Sequence, residues 1–574
     1  MISINGMPLN QQLFKNYCSF VCIHLCIFIN LSAQSRSFGG LPILSPKKQI
    51  QYQSNLNHLP EYSHVYGIYE KLVEAKGDRR MPVPQLNLRS EEAYVASMDY
   101  RLMEISIEKK AYDVAAKHGD AAIAFLLAHE LVHYYEKHGW RSQYADAVSD
   151  LKTGSVLRSL DDRVTNEVQA DVLGGFLAYS AGFGIFDKGG LLINDLYKSY
   201  KMGDILIGYP SRTDRIALSE RNQTQIAQLS NIFEMAGLLT VMGKYKEAYA
   251  YYGYLLNKYQ SRELYNNAGL TCMMYASSLI DPKDIIFDIP GIMDLEFSGD
   301  SRSTSKINLI NVLIEEALNH FETAIIMNKK YLASYINKAS ANIIKAVNQT
   351  DPELRNVALN KANHIIEYEL AEIRKLHPDL DFNSFNDEIL ILKSILKYFQ
   401  NDKPTALKLM TEASNAGNEV ATKNLSLMKG NPVPATTSDI HQKLMIDSMN
   451  AEKFLASGLV SRNQTKIDDV NIFRVTDQKS KKYKVLTHEY KGSDQDIGYD
   501  LGFVISKKSL STSFMNGLSI GSLKTDVTKV LGNPKRSLSH LKGEILYFGG
   551  GLIVITDHEE KVEKVIDFKE ILKP

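Results

Sequence analysis

Apolar residues recur at helical spacing through Asp120-Ala-Ala-Ile-Ala-Phe-Leu-Leu-Ala-His-Glu-Leu-Val-His-Tyr-Tyr-Glu136, and again from Thr165 to about Tyr179, so each stretch predicts an apolar helix. Ahead of the first, Met98 to Ile107 alternates apolar and polar residues from Leu102 onward, which is the period of a strand. After about residue 228 the pattern becomes paired amphipathic helices with small residues at regular places, among them Ala236, Ala248, Ala317, Ala324, Ala339, Ala406 and Ala413. An insertion from Asp281 to Lys306, rich in Asp, Pro, Gly and Ser, interrupts these helices and predicts an exposed loop. Beyond the polar stretch Asn431-Pro-Val-Pro-Ala-Thr-Thr-Ser-Asp439, strand character takes over. There Ile520 to Pro534 reads as a short helix ended by Gly532 and Pro534. Strands are expected near Glu544–Phe548, Leu552–Thr556 and Lys564–Phe568, with Gly549-Gly-Gly551 as a hairpin turn. The expected fold is mainly α with α+β parts. Its divisions are residues 1–33, 34–228, 229–430, a linker at 431–439 and a C-terminal α+β domain at 440–574.

The first division changes what the rest can use. Tyr17 to Leu31 is mostly apolar, preceded by Lys15 and followed by Ser32-Ala-Gln34, the pattern of a secretory signal peptide cleaved after Ala33. Met7 is an alternative start, and an uncleaved membrane anchor is the competing reading. None of Cys18, Cys22 or Cys26 follows the small residue that lipid attachment requires. Removal of the segment leaves Cys272 alone, so stability must come from burial and not from disulfides. Roughly 540 residues remain, enough for about three or four domains. Sixty-six basic residues balance sixty-six acidic ones, which disfavours nucleic acid or an anionic membrane as partner. No second apolar stretch is long enough to span a bilayer, so no integral span is expected in the mature chain.

The chemistry lies in His129-Glu-Leu-Val-His133. Residues four apart on a helix share a face, so His129 and His133 can grip one Zn²⁺ while Glu130 stands beside it as general base for the attacking water. A hydrolytic zinc site needs three protein ligands and one open position, and Glu167, near the start of the second apolar helix, supplies the third. Asp171, one turn further on, is spaced to accept the other ring N–H of a ligating histidine.

These residues resemble the gluzincin metallopeptidases, and more narrowly the family of HtpX and the CAAX prenyl proteases, which pairs such a helix with a Glu-x-x-x-Asp helix like Glu167 to Asp171. The resemblance covers about residues 60 to 225 and implies a gluzincin-like metallopeptidase domain at 34–228. It implies His129, His133 and Glu167 as ligands of one Zn²⁺ per chain, Glu130 as base, and Asp171 behind the ligands. Asn166 would help orient a histidine. In Gly208-Tyr-Pro-Ser-Arg-Thr-Asp-Arg215 the family carries a histidine where this chain has Tyr209, whose phenol could donate to a developing oxyanion. Arg215 matches the segment's arginine, with a structural ion pair as its plainer role. Gluzincins also use an edge strand just before the first helix to pair with extended substrate, a role that falls to the strand predicted from Leu102 to Ile107. The helices of 229–430 resemble tetratricopeptide repeats, a solenoid with a concave face for a peptide or protein partner. The C-terminal helix and meander are similar to the small domain of SmpA/OmlA-type outer-membrane assembly lipoproteins.

The resulting expectation is an exported, periplasmic zinc endopeptidase acting on unfolded or misassembled envelope proteins, with repeats that bind substrate or a partner protein. The competing expectation is a non-catalytic chaperone-like or scaffold protein whose zinc site is structural or idle. A closed, four-ligand site would favour it, and His138 is the candidate fourth ligand. The segment between Tyr134 and Thr165 is long enough to form a lid.

Overall fold

The computed structural model describes residues 56–90, 94–100, 102–139, 152, 163–184, 186–206, 210–281, 287–293, 306–430, 464–466, 473–479, 483–490, 498–506, 513–515, 517–540 and 542–572. The expected signal peptide, the 431–439 linker, Tyr209 and most of the expected lid lie outside the described residues.

Helix α1 (Pro60–Lys76) opens with proline in its first turn and stops at Gly77, whose φ of 62° only glycine adopts without strain. Three short strands follow, β1 (Gln85–Arg89), β2 (Ala96–Asp99) and β3 (Glu104–Glu108), in the order β1-β3-β2. The strand expected at Leu102–Ile107 is β3, and it is the middle strand, parallel to β1 and antiparallel to β2. Leu102 and Met103 form the turn before it, Met103 with a φ of 50°. The edge near the first apolar helix is therefore β2, whose partly buried Ala-Ser-Met-Asp carries little strand signal of its own.

Helices α2 (Lys109–Ala116) and α3 (Asp120–Tyr135) come next, then α4 (Arg163–Ala178), which runs into a π turn at Tyr179–Phe183, and α5 (Gly189–Ser199). Leu72, Leu88, Ile105, Ile107, Ile123, Leu127, Leu177 and Leu192 are among the side chains that make their common core. Helix α6 (Arg212–Met242) is 31 residues long, starts at Ser211, whose hydroxyl caps the Asp214 N–H, and ends at Gly243. It runs unbroken through residue 228, so the division expected there lies inside one helix.

Antiparallel helices continue from it: α7 (Tyr245–Leu256), α8 (Arg262–Leu279), then strand β4 (Ile292–Met293), α9 (Lys306–Met327), α10 (Leu332–Val347) and α11 (Pro352–His364). A π turn at Ile365–Glu369 joins α11 to α12 (Leu370–Leu376), and α13 (Asn386–Phe399), α14 (Lys403–Asn415) and α15 (Glu419–Met428) complete the helical part. Ala236, Ala248, Ala317, Ala324, Ala339, Ala406 and Ala413 have no exposed surface, because a small side chain at each crossing lets two helices approach closely.

The rest is strand-rich: β5 (Gln464–Lys466), β6 (Phe473–Lys479), β7 (Tyr483–Tyr490), β8 (Tyr499–Ser506), a hairpin of β9 (Ser513–Met515) and β10 (Leu518–Ser519), α16 (Lys524–Leu531), β11 (Arg536–His540), β12 (Gly543–Gly549), β13 (Leu552–Thr556) and β14 (Val562–Leu572). The larger sheet has the order β4-β11-β12-β13-β14-β8-β7-β6-β5. One face packs on α16 through Leu546, Val554 and Val565. Ile545, Ile553, Ile555 and Ile566 point the other way and join the core of α6 to α9. With both faces covered, strands such as β13 read as continuous apolar runs.

The insertion departs from expectation. Within it, Ile292 and Met293 are fully buried and pair in parallel with Ser539 and His540 of β11. Phe287 is also buried, against Tyr398 and Phe399. The amide of Asn337 brackets Ile292, accepting from its N–H at 2.7 Å and donating to its carbonyl at 2.7 Å. Asn424 does the same to Asp288, at 2.8 and 2.7 Å. The Asp, Pro and Gly residues mask four apolar anchors, Phe287, Ile289, Ile292 and Met293, held in extended form by buried asparagines.

Candidate metal centre

The site forms where α3 crosses α4. Gly174 makes the crossing possible: a Cβ there would lie 2.8 Å from the backbone nitrogen of His129. Glycine inside a helix costs about 1 kcal/mol relative to alanine, so a Gly174-Gly175 pair in mid-helix is itself a signal of close backbone approach. With the axes this near, the face of α4 bearing Glu167 and Asp171 meets the face of α3 bearing His129 and His133.

Three ligand atoms converge. Nε2 of His129 and Nε2 of His133 are 3.0 Å apart. Glu167 Oε2 lies 3.3 Å from the first and Oε1 3.5 Å from the second. Zinc bonds of about 2.0–2.1 Å in tetrahedral geometry set ligand atoms about 3.3–3.4 Å apart, close to these spacings. Two facing ring nitrogens can share at most one proton, and Glu167 Oε2 is buried with no N–H aimed at it. The donor set of two imidazoles and a carboxylate therefore fits one divalent cation, and the three residues form a group that could hold one. Among the described residues no fourth His, Cys, Asp or Glu joins them.

Behind this group the ring nitrogens are anchored. Nδ1 of His129 is 2.8 Å from Asp171 Oδ1, and Arg215 on α6 brings Nη2 to 3.4 Å from that same oxygen. Nδ1 of His133 instead faces Nδ1 of His138 at 2.9 Å, on the side away from Glu167. His138 is thus a neighbour of a ligand and does not enter the group. Asn166 is buried at the start of α4 beside Glu167.

Burial alone would lower the pKa of His129, but the carboxylates of Asp171 and Glu167 outweigh it and raise it to about 10 without a metal. Burial would raise Glu167, and the two imidazoles override that and hold it well below the carboxylate range. Asp171 is also lowered, against its own burial, chiefly by Arg215 and His129. Glu130 goes the opposite way, raised by burial despite the imidazoles beside it.

Two contributors had no chemical signal in the sequence. The Tyr100 hydroxyl donates to the carbonyl of His133 at 2.6 Å and so closes the end of α3. Gln169 on α4 reaches His138, with Oε1 3.2 Å from Nε2.

Compared with known proteins, the chain matches no family model and none of the curated proteins.

Proposed function

We propose that the chain is a zinc-dependent endopeptidase, of the gluzincin type that HtpX and the CAAX prenyl proteases exemplify. The observation that carries this is the convergence of His129, His133 and Glu167, with Glu130 next to the first histidine on the same helix. Zinc held there would supply Lewis acidity for the scissile carbonyl and an activated water. Glu130 would accept a proton from the water attacking the carbonyl carbon and pass it to the amine that leaves as the C–N bond breaks. A carboxyl raised by burial suits both halves of this transfer. Asp171 accepts the Nδ1 proton of His129 and so keeps its Nε2 lone pair turned inward.

Among the described residues β2 is an edge of its sheet, and an extended substrate backbone would pair there, which makes the substrate a locally unfolded polypeptide. The N-terminal segment makes it an exported protein, and envelope protein quality control is the setting by analogy. The helical hairpins are read as tetratricopeptide-like. Their asparagines at 337 and 424 already hold residues 287–293, so a partner protein would use surfaces that this segment leaves open.

Metal content and turnover of the mature chain test this reading. One zinc per chain is expected, with cleavage of an unfolded protein lost by about 100-fold or more in Glu130→Gln while zinc is retained. Equal turnover in Glu130→Gln would sink the endopeptidase.

A further inference from the structure

The two histidines are anchored differently, and the difference assigns a role to a pair of residues outside the ligand group. We propose that His138 and Gln169 form a relay that fixes the tautomer and ring orientation of His133. The inference rests on the zinc reading above and names how the chain prepares its second imidazole.

His129 leans on a carboxylate, Asp171. Among the described residues no carboxylate stands behind Nδ1 of His133, which meets another imidazole nitrogen, Nδ1 of His138, at 2.9 Å. A bond at that distance needs one proton between the two rings, so one nitrogen donates and the other accepts. Gln169 decides which. Its Oε1, 3.2 Å from Nε2 of His138, can only accept, which puts the proton of neutral His138 on Nε2 and leaves its Nδ1 as a lone pair. Nδ1 of His133 must then carry a proton and donate it. The Nε2 of His133 is left bare, facing Glu167 and Nε2 of His129. The opposite order would put a proton on that Nε2 and end its use as a ligand.

The backbone is built to hold His138 there. After α3 the chain turns back through Lys137 in the left-handed region, with a φ of 56°, a conformation few side chains adopt. Tyr100 secures the turn, donating to His133 O. Gly139 sits so close to the Tyr100 ring that a Cβ would come within 2.3 Å of it. The result leaves His138 only 3 % exposed, its ring edge-on to His133 with centroids 4.9 Å apart. Gln169 comes from α4, the helix that carries Glu167 and Asp171, so one helix anchors both histidines from behind.

The test titrates the metal-free chain with zinc against a chromophoric chelator and records the visible spectrum of the cobalt-substituted form. His138→Leu is expected to weaken zinc binding by about 10- to 100-fold, the usual effect of losing a ligand's outer partner, and to shift the cobalt bands. His138→Asn, whose Oδ1 can stand where Nδ1 accepts, is expected to restore most of the affinity and the parent spectrum. Gln169→Leu is expected to fall between them, and it carries the test if His138→Leu does not fold. Zinc binding by folded His138→Leu or Gln169→Leu at parent affinity overturns the relay, as does His138→Asn binding no better than His138→Leu. A parent chain that binds no zinc overturns both the relay and the metal reading. Graded affinities in a chain that cleaves nothing uphold the relay and overturn the endopeptidase.

Discussion

At the centre of the α3–α4 crossing, imidazole nitrogens face one another; where α6 and α7 meet the C-terminal sheet, part-buried charges face their opposites. At the second junction Glu234 receives Lys484 at 2.6 Å and Lys564 at 3.4 Å. Lys244 meets Glu570 at 2.7 Å, and the Arg536 guanidinium donates to the carbonyl of Val241 at 2.6 Å. Burial raises the pKa of Glu234, yet the two lysines override it and bring the carboxyl down to about 2. Glu167 is also lowered, by imidazoles whose facing nitrogens cannot both be protonated once they act as ligands. A buried polar group answered by its opposite holds architecture. A buried group answered only by other lone pairs is arranged for something that arrives later.

The largest expected effect breaks the architectural side. Glu234→Ala leaves Lys484 and Lys564, both part-buried, without their carboxylate and should destabilise the fold by about 3 kcal/mol in urea unfolding, the lower end of the cost of breaking a buried pair. A loss under about 1 kcal/mol would mean that the junction does not depend on this charge. Next comes the crossing. Gly174→Ala forces α4 off the backbone of His129, where no side chain can yield, so about 3 kcal/mol is expected, at the upper end of overpacking effects. Gly175→Ala meets only the Cδ1 tip of Ile226 and should lose much less. Similar losses for the two glycines would remove the special status of the first.

Part of this contrast was legible in the chain. His129, Glu130 and His133 are linked by helical spacing alone, and the ligand count pointed to Glu167, which does come beside them. The small residues of the later helices lie where period and size placed them. The opposite fate met features that depend on partners far away in sequence. The edge strand β2 has no strong alternation, and β3, which has, is the middle strand because β1 arrives from before it. The insertion at 281–306 looked exposed because Asp, Pro and Gly outnumber its anchors, while the asparagines that bind its backbone sit at 337 and 424. The division at 228 was invisible as a continuous helix because polar residues through Gln228 interrupt the apolar pattern there. His138 was legible as a histidine near a site, but its side of the ring is decided by the left-handed Lys137.

Zinc itself sharpens the comparison. A cation that binds only the folded chain adds about 2.7 kcal/mol at 100-fold excess over its Kd, seen as a rise in unfolding midpoint that chelator reverses. Glu167→Ala should abolish the rise without the large basal loss expected of Glu234→Ala. An undiminished zinc-dependent shift in Glu167→Ala would take this residue out of the site.

The last test asks whether the charges are matched where α13 meets the same sheet. Glu388 on α13 faces β11 and is 5 % exposed, yet among the described residues no lysine pairs with it; the hydroxyl of Ser539 donates to it. Burial pushes its pKa up from 4.5 to about 7, against the Ser539 hydrogen bond and with Asp387 and Glu544 adding repulsion. Below pH 4.5 the carboxyl is protonated in both folded and unfolded chains and has no pH-dependent effect. Between 4.5 and about 7 the folded carboxyl keeps a proton that the unfolded one has lost, so stability falls as pH rises through that window, and above it the loss is complete. Glu388→Gln cannot titrate. Its stability relative to the parent should therefore climb across the same window and level off near pH 8, by about 3 kcal/mol. Glu234 contributes the reverse slope, because its pairs are lost only as pH falls toward 2. A difference between parent and Glu388→Gln that stays flat from pH 5 to 8 would mean that this carboxylate is ionised in the fold, and that the sheet junction matches every charge after all.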